Sequence, residues 1–134
     1  MIFTDFISEH QKTSEEVNTL RNQSRQADEE ALQAKQFAEK LDRELAELEY
    51  ALLRQVQEAT SPDGKMLHTN DNARKTALAA LKMSSPEYMR LLAAKDQAEA
   101  DRARAERDAA LYRHQAELGM ERLKMLTAAV GRAS

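Results

Sequence analysis

Residues 27–59 read ADEEALQAKQFAEKLDRELAELEYALLRQVQEA. Steps of four and three from Ala27 land on Ala31, Ala34, Ala38, Leu41, Leu45, Leu48, Leu52, Val56 and Ala59, all of them apolar. Apolar residues at this interval draw one stripe down a helix, the repeat of a coiled coil. Continued towards the N-terminus, the same steps meet Ser24, Leu20, Val17, Thr13, His10 and Phe6, so the stripe there is half polar. No Gly or Pro interrupts residues 1 to 59. One helix of that length would be about 85 Å long, and its stripe requires a second helix alongside.

The rest of the chain supplies that helix. "TSPDGK" at 60–65 has the residues of a tight turn, with Pro62 setting φ and Gly64 closing it. In "MLHTNDNARKTALAALKM", Thr69 or Asn70 suits the N-cap of a short helix running to about Met83, with Ala73, Ala77, Leu78 and Leu81 as its apolar face. Ser85 and Pro86 then suit N-cap and first-turn positions, and Ser84 with Glu87 has capping-box spacing. From Pro86 to about Val130 the heptad positions include Tyr88, Leu91, Ala98, Ala105, Ala109, Tyr112, Ala116, Gly119, Leu123, Leu126 and Val130. Lys95 and Arg102 interrupt this stripe, either snorkelling or marking where the short helix covers the seam.

The expected fold is all-α: an antiparallel coiled-coil helical hairpin with a short helix at its tip, forming one domain over residues 1–134. Its long helices run over about 4–59 and about 86–130, with the turn and short helix over about 60–84. Matching large residues to small ones across the seam places pairs whose numbers sum to about 147. Leu41 then meets Ala105, Ala31 meets Ala116, Ala27 meets Gly119 and Val17 meets Val130. In that register the second arm ends near residue 14, leaving Phe3, Phe6 and Ile7 uncovered by their own chain. Burial of such side chains is worth about 1.5–3 kcal/mol each. Self-association through Phe3, Phe6, Ile7, Leu126 and Val130 is therefore expected, a symmetric dimer being the economical form. Against it stands a frayed end with incidental phenylalanines.

Composition agrees with long helices: 32% charged, 4% aromatic, three Gly and two Pro. With no cysteine, disulfide and thiolate chemistry are excluded, and a reducing, cytoplasmic setting is expected. No apolar run approaches the ~18 residues of a membrane span. The N-terminus lacks a basic region and carries Asp5 within its apolar patch, so neither a signal peptide nor a membrane partner is expected. His10, His68 and His114 are far apart and have no His or Cys at ligand spacing, so neither metal nor cofactor is expected. "DEE" at 28–30 reads as a solvated helix face, and "DGK" at 63–65 lacks the P-loop glycine spacing. No catalytic residues emerge, and an enzyme is not expected.

Charge is divided along the chain. Residues 1–59 hold 7 basic and 13 acidic side chains, whereas residues 60–95 hold 6 and 3. The mildly basic tip brings Lys65, His68, Asn70, Asn72, Arg74 and Lys75 close together, as a contact for phosphate or an acidic protein face would. The plainer reading is a polar loop that caps and braces the short helix. No aromatic residue is placed there for base stacking, which weighs against single-strand binding. Met66, Met83 and Met89 are either filler for a small three-helix cluster, the commoner use, or an adaptable contact surface.

The connector GKMLHTNDNARKTALAALKMSSPEY resembles the loop of small phage or prophage helical-hairpin proteins, through Gly64, Lys65, Thr69, Asn70, Arg74, Pro86, Glu87 and Tyr88. The likeness covers about residues 60–92 and implies a setting near phage recombination and replication functions, with no assigned activity. The functional expectation is a non-enzymatic interaction protein, phage-derived, that self-associates and binds a protein or nucleoprotein complex, as a recombination accessory or an inhibitor of a host system. The alternatives are a secretion chaperone or export adaptor, and a nucleic-acid binder acting through the basic tip.

Overall fold

The computed structural model describes residues 2–133 and the side chains of residues 4–132. The fold is all-α, with 90% of the described residues helical. Helix α1 is Ile2–Glu58, α2 is Asp71–Ser84 and α3 is Pro86–Ala133. Among the described residues, every buried position of α1 and of α3 lies on the apolar stripes read from the sequence. Val17, Leu41 and Val56 are buried on α1, and Leu91, Ala98 and Ala109 on α3. The chain forms two compact units, one of Met1–Gln33 with Asp101–Ser134 and the other of Ala34–Ala100.

In the first unit α1 and α3 run antiparallel. Arg122 Nη2 lies 2.8 Å from Glu9 Oε2, and Arg113 Nη2 lies 3.9 Å from Asp28 Oδ1. Ser24 Oγ donates to the Ala109 carbonyl at 3.3 Å. The core consists of small residues, and Ala109 is 0% exposed. Two polar side chains, Thr13 and Ser24, are buried with them.

The register differs from the one expected. Gly119 sits against Val17, not Ala27: a Cβ added to Gly119 would lie 2.5 Å from Val17 Cγ2. The numbers of this pair sum to 136, a shift of about three helical turns from the expected alignment. Such a shift presents the same face of each helix, so stripe matching alone does not distinguish the two alignments. The observed one places Gly119 at the branched Val17 side chain and gives the buried Ser24 hydroxyl its acceptor. It also overturns the premise that α3 stops short of the α1 N-terminus. Ile7 and His10 share a recess of about 200 Å³ with Thr127 and Val130.

The second unit has a larger-residue core of Ala38, Leu41, Leu45, Leu91 and Ala98, flanked by Leu48, Tyr88 and Leu92. Lys95 does snorkel: its ammonium lies 2.6 Å from Asp42 Oδ1 and 3.9 Å from Glu99 Oε1. In the first unit Arg102 likewise turns along its own helix, 2.9 Å from Glu106. After α1 the chain makes the expected turn, with the Gly64 N–H donating to the Ser61 carbonyl at 2.9 Å. Gly64 has φ +83°, a conformation that favours glycine. A single antiparallel bridge flanks it, between Thr60 and Met66, with the Leu67 N–H donating to the Ala59 carbonyl at 3.0 Å.

Candidate interaction surface of the connector

The residues expected at the partner-binding tip divide into structural and available groups. Asn70 is the N-cap of α2, its Oδ1 accepting from the Ala73 N–H at 2.7 Å. Arg74 is half-buried, with Nη1 3.4 Å from Asp71 Oδ1 and a buried Nε. The Asn72 carbonyl accepts from the Thr76 hydroxyl at 2.9 Å while its side chain stays exposed. His68 is half-buried. Lys65 and Lys75 are exposed, and among the described residues neither takes part in an ion pair. Asn70 and Arg74 thus brace the connector, as the plainer sequence reading holds, while the two lysines are exposed to solvent.

Asp63 shapes the turn beside them. Its carboxylate accepts from the Ser61 hydroxyl and, at 3.3 Å, from the Lys65 N–H. The Ser61 hydroxyl first, and then the backbone at Lys65, hold this carboxyl below the ordinary carboxylate value.

Lys82 anchors α2. Its ammonium lies 2.9 Å from Glu49 Oε1 on α1 and 5.6 Å from the centroid of the Tyr88 ring on α3. The hydrogen bond to Glu49 is the main cause that raises its pKa, against opposing desolvation. Ser85 separates α2 from α3 and caps the latter, with the Tyr88 N–H donating to Ser85 Oγ at 3.2 Å and Pro86 in the first turn. Ser84 instead turns its hydroxyl back to the Leu81 carbonyl at 3.2 Å, so the capping-box role considered for it goes to other bonds.

None of the 14 residues of α2 is buried. Beside it an open groove of about 500 Å³ is lined by Gln55 and Val56 of α1, Ala59 and His68 of the connector, and Ala77, Ala80, Leu81 and Ser84 of α2. Met83 is 78% exposed, and Met66, Leu67 and Met89 are also exposed. The methionines are therefore not core filler. Met83 follows Leu81 by two residues, about 200° around the helix, and that spacing already places it off the packed face. The groove itself had no sequence signal: Ala77 read as part of the packed face of α2, and Ala80 lay outside that face.

The expected self-association residues lie in the first unit. Phe6, Leu126 and Val130 are half-buried and Ile7 is 45% exposed, while the Phe3 side chain falls outside the described ones. Among the described residues no three His, Cys, Asp or Glu side chains are grouped to hold a metal ion, and no helix is long and apolar enough to cross a membrane. Comparison of the chain with family models, curated proteins and solved structures finds no match in any of the three.

Proposed function

We propose that this chain is a non-enzymatic helical interaction protein whose connector binds a protein or nucleoprotein partner. One observation carries the reading: exposed Met66, Leu67, Met83 and Met89 share a segment with exposed, unpaired cations. Solvent-exposed apolar clusters mixed with charge are characteristic of interaction sites. The phage or prophage setting, with a role as recombination accessory or host inhibitor, rests on the connector residues alone.

The test is affinity capture with the intact chain, followed by mass spectrometry, beside a Lys65→Glu, Lys75→Glu variant. Arg74 is left intact because it braces α2. A partner held by the parent and lost by the variant, at unchanged melting temperature, supports the reading. Equal capture by both removes the connector from it. A partner that proves to be duplex DNA, released steeply by salt, moves the function to nucleic-acid binding.

Self-association belongs to the proposal on a changed basis. Ile7 is exposed beside the recess it shares with Val130, so a second copy would bury a surface built by both helices rather than a bare N-terminal extension.

A further inference from the structure

We propose that Asp63–Gly64 is a site of spontaneous aspartyl isomerisation, and that the Ser61 hydroxyl is the brake on it. The inference concerns the covalent chemistry of the connector turn and stands apart from the partner-binding reading.

Of the eight aspartates in the chain, Asp63 alone precedes a glycine. The other seven lie within α1, α2 or α3, where regular helical geometry fixes the peptide that follows each of them. Asp63, Gly64 and Lys65 are all exposed. The Lys65 N–H donates to Asp63 Oδ1 at 3.3 Å. An aspartate bonded in this way to the backbone two residues on folds its carboxyl carbon over the intervening peptide, here Asp63–Gly64. Gly64 has no side chain to shield its nitrogen, and even an added Cβ would meet nothing within 4 Å, so water reaches the site freely. Electrophile and nucleophile are thus held side by side in an open turn.

The atoms balance without a further reactant. The Gly64 nitrogen bonds to the Asp63 carboxyl carbon and gives up its proton, while the carboxyl hydroxyl leaves as water. A five-membered succinimide results. Water then adds to the ring. Breaking the bond from the Gly64 nitrogen to the Asp63 main-chain carbonyl carbon leaves the chain running through the former side chain, as isoaspartate. Breaking the new bond restores aspartate. One water is lost and one regained.

The brake is built from the same groups. Water can leave only from the protonated carboxyl. The Ser61 hydroxyl donates to the same Oδ1, and this bond, ahead of the Lys65 N–H, holds the carboxyl below its ordinary value and keeps the protonated form scarce. The Gly64 N–H is itself donated to the Ser61 carbonyl at 2.9 Å, so ring closure waits on local opening of the turn. Replacing the Ser61 side chain removes its bonds to Asp63 and, at 3.3 Å, to the Lys65 carbonyl. Its two main-chain bonds, to the Lys65 carbonyl at 2.8 Å and from the Gly64 N–H, do not depend on the hydroxyl. Isoaspartate adds one carbon to the main chain between Thr60 and Met66, the residues whose bridge closes the turn.

The test incubates the intact chain for weeks at physiological temperature and near-neutral pH, beside Ser61→Ala and Ser61→Thr variants. Isoaspartate is read by labelled methyl transfer from an isoaspartate methyltransferase, followed by peptide mapping. Label should appear at position 63 and not at the other seven aspartates. Ser61→Ala should acquire it about threefold faster or more, since a hydrogen bond to a charged acceptor is lost. Ser61→Thr keeps a hydroxyl and should match the parent. In the modified fraction the Leu67 amide, bonded to the Ala59 carbonyl in the parent, should exchange faster with solvent at unchanged helix content. No label at position 63, or label spread evenly over the aspartates, overturns the inference. Equal rates in the parent and Ser61→Ala overturn the role of the hydroxyl. Leu67 exchange measured before incubation separates the two causes of a faster rate. Unchanged in Ser61→Ala, it assigns the brake to the hydroxyl; already raised, it assigns the brake to closure of the turn and overturns the part given to Ser61.

Discussion

At Gly119 two opposing effects meet. Alanine is favoured over glycine inside a helix by about 1 kcal/mol, but its Cβ would lie 2.5 Å from the Cγ2 of Val17, a β-branched residue only 2% exposed. Overpacking of this kind costs about 1–3 kcal/mol. Gly119→Ala should therefore lose up to about 2 kcal/mol in urea unfolding once the ~1 kcal/mol propensity gain is subtracted. Adding Val17→Ala should make the pair less destabilised than the sum of the two single changes. Gly131→Ala is the control: a Cβ there meets nothing within 4 Å, so the change should be neutral or mildly stabilising. A stabilised Gly119→Ala would contradict the close approach of the two helices.

The three helices differ in what holds them, and the difference is measurable. Since α2 buries none of its residues, its amides should exchange with solvent faster than those in the middle of α1 and α3. Asn70→Ala removes its cap at a cost of about 1 kcal/mol and should speed that exchange further. Lys82 and Lys95 add a dependence on pH. Both have folded-state pKa values raised above 10.5, chiefly by hydrogen bonds to Glu49 and Asp42 respectively. A lysine raised on folding contributes its full stability below its unfolded value and loses it as pH rises through the folded one. Melting temperature should therefore fall in the alkaline range above about 10.5, and Lys82→Met with Lys95→Met should flatten that fall. Sequence periodicity made the inward faces of α1 and α3 legible, because burial follows the repeat. It left their alignment open, because Ala27 and Val17 both lie on the α1 stripe that can face Gly119. The groove beside α2 was illegible for a different reason: whether Ala80 has a neighbour depends on how far apart two elements stand, which composition does not encode.

Across the molecule, charge is unevenly divided, whereas exposed apolar side chains are spread along the chain from Ile7 and Phe37 to Met83 and Met125. Residues 1–59 carry the acidic excess, while the connector carries cations and exposed methionines. If a second copy covers the recess of Ile7, His10, Thr127 and Val130, sedimentation equilibrium should show a dimer for the intact chain and a monomer for an Ile7→Ser, Val130→Ser variant. The same mass in both would end the self-association proposal. Connector variants such as Lys75→Glu should leave this equilibrium unchanged, since residue 75 lies in the other compact unit.

The three-turn ambiguity at Val17 and Gly119 also has a kinetic consequence. A chain whose helices can slide by three turns and still match apolar faces has a near-native competitor on its folding route, separated from the native pairing by a discrete step. The native alignment is distinguished by few features, among them the Ser24 hydroxyl on the Ala109 carbonyl and the Val17 side chain against Gly119. Ser24→Ala should thus weaken discrimination against the slipped state more than its equilibrium cost implies. Stopped-flow refolding of that variant should show a second, slower phase as misaligned chains unzip and pair again.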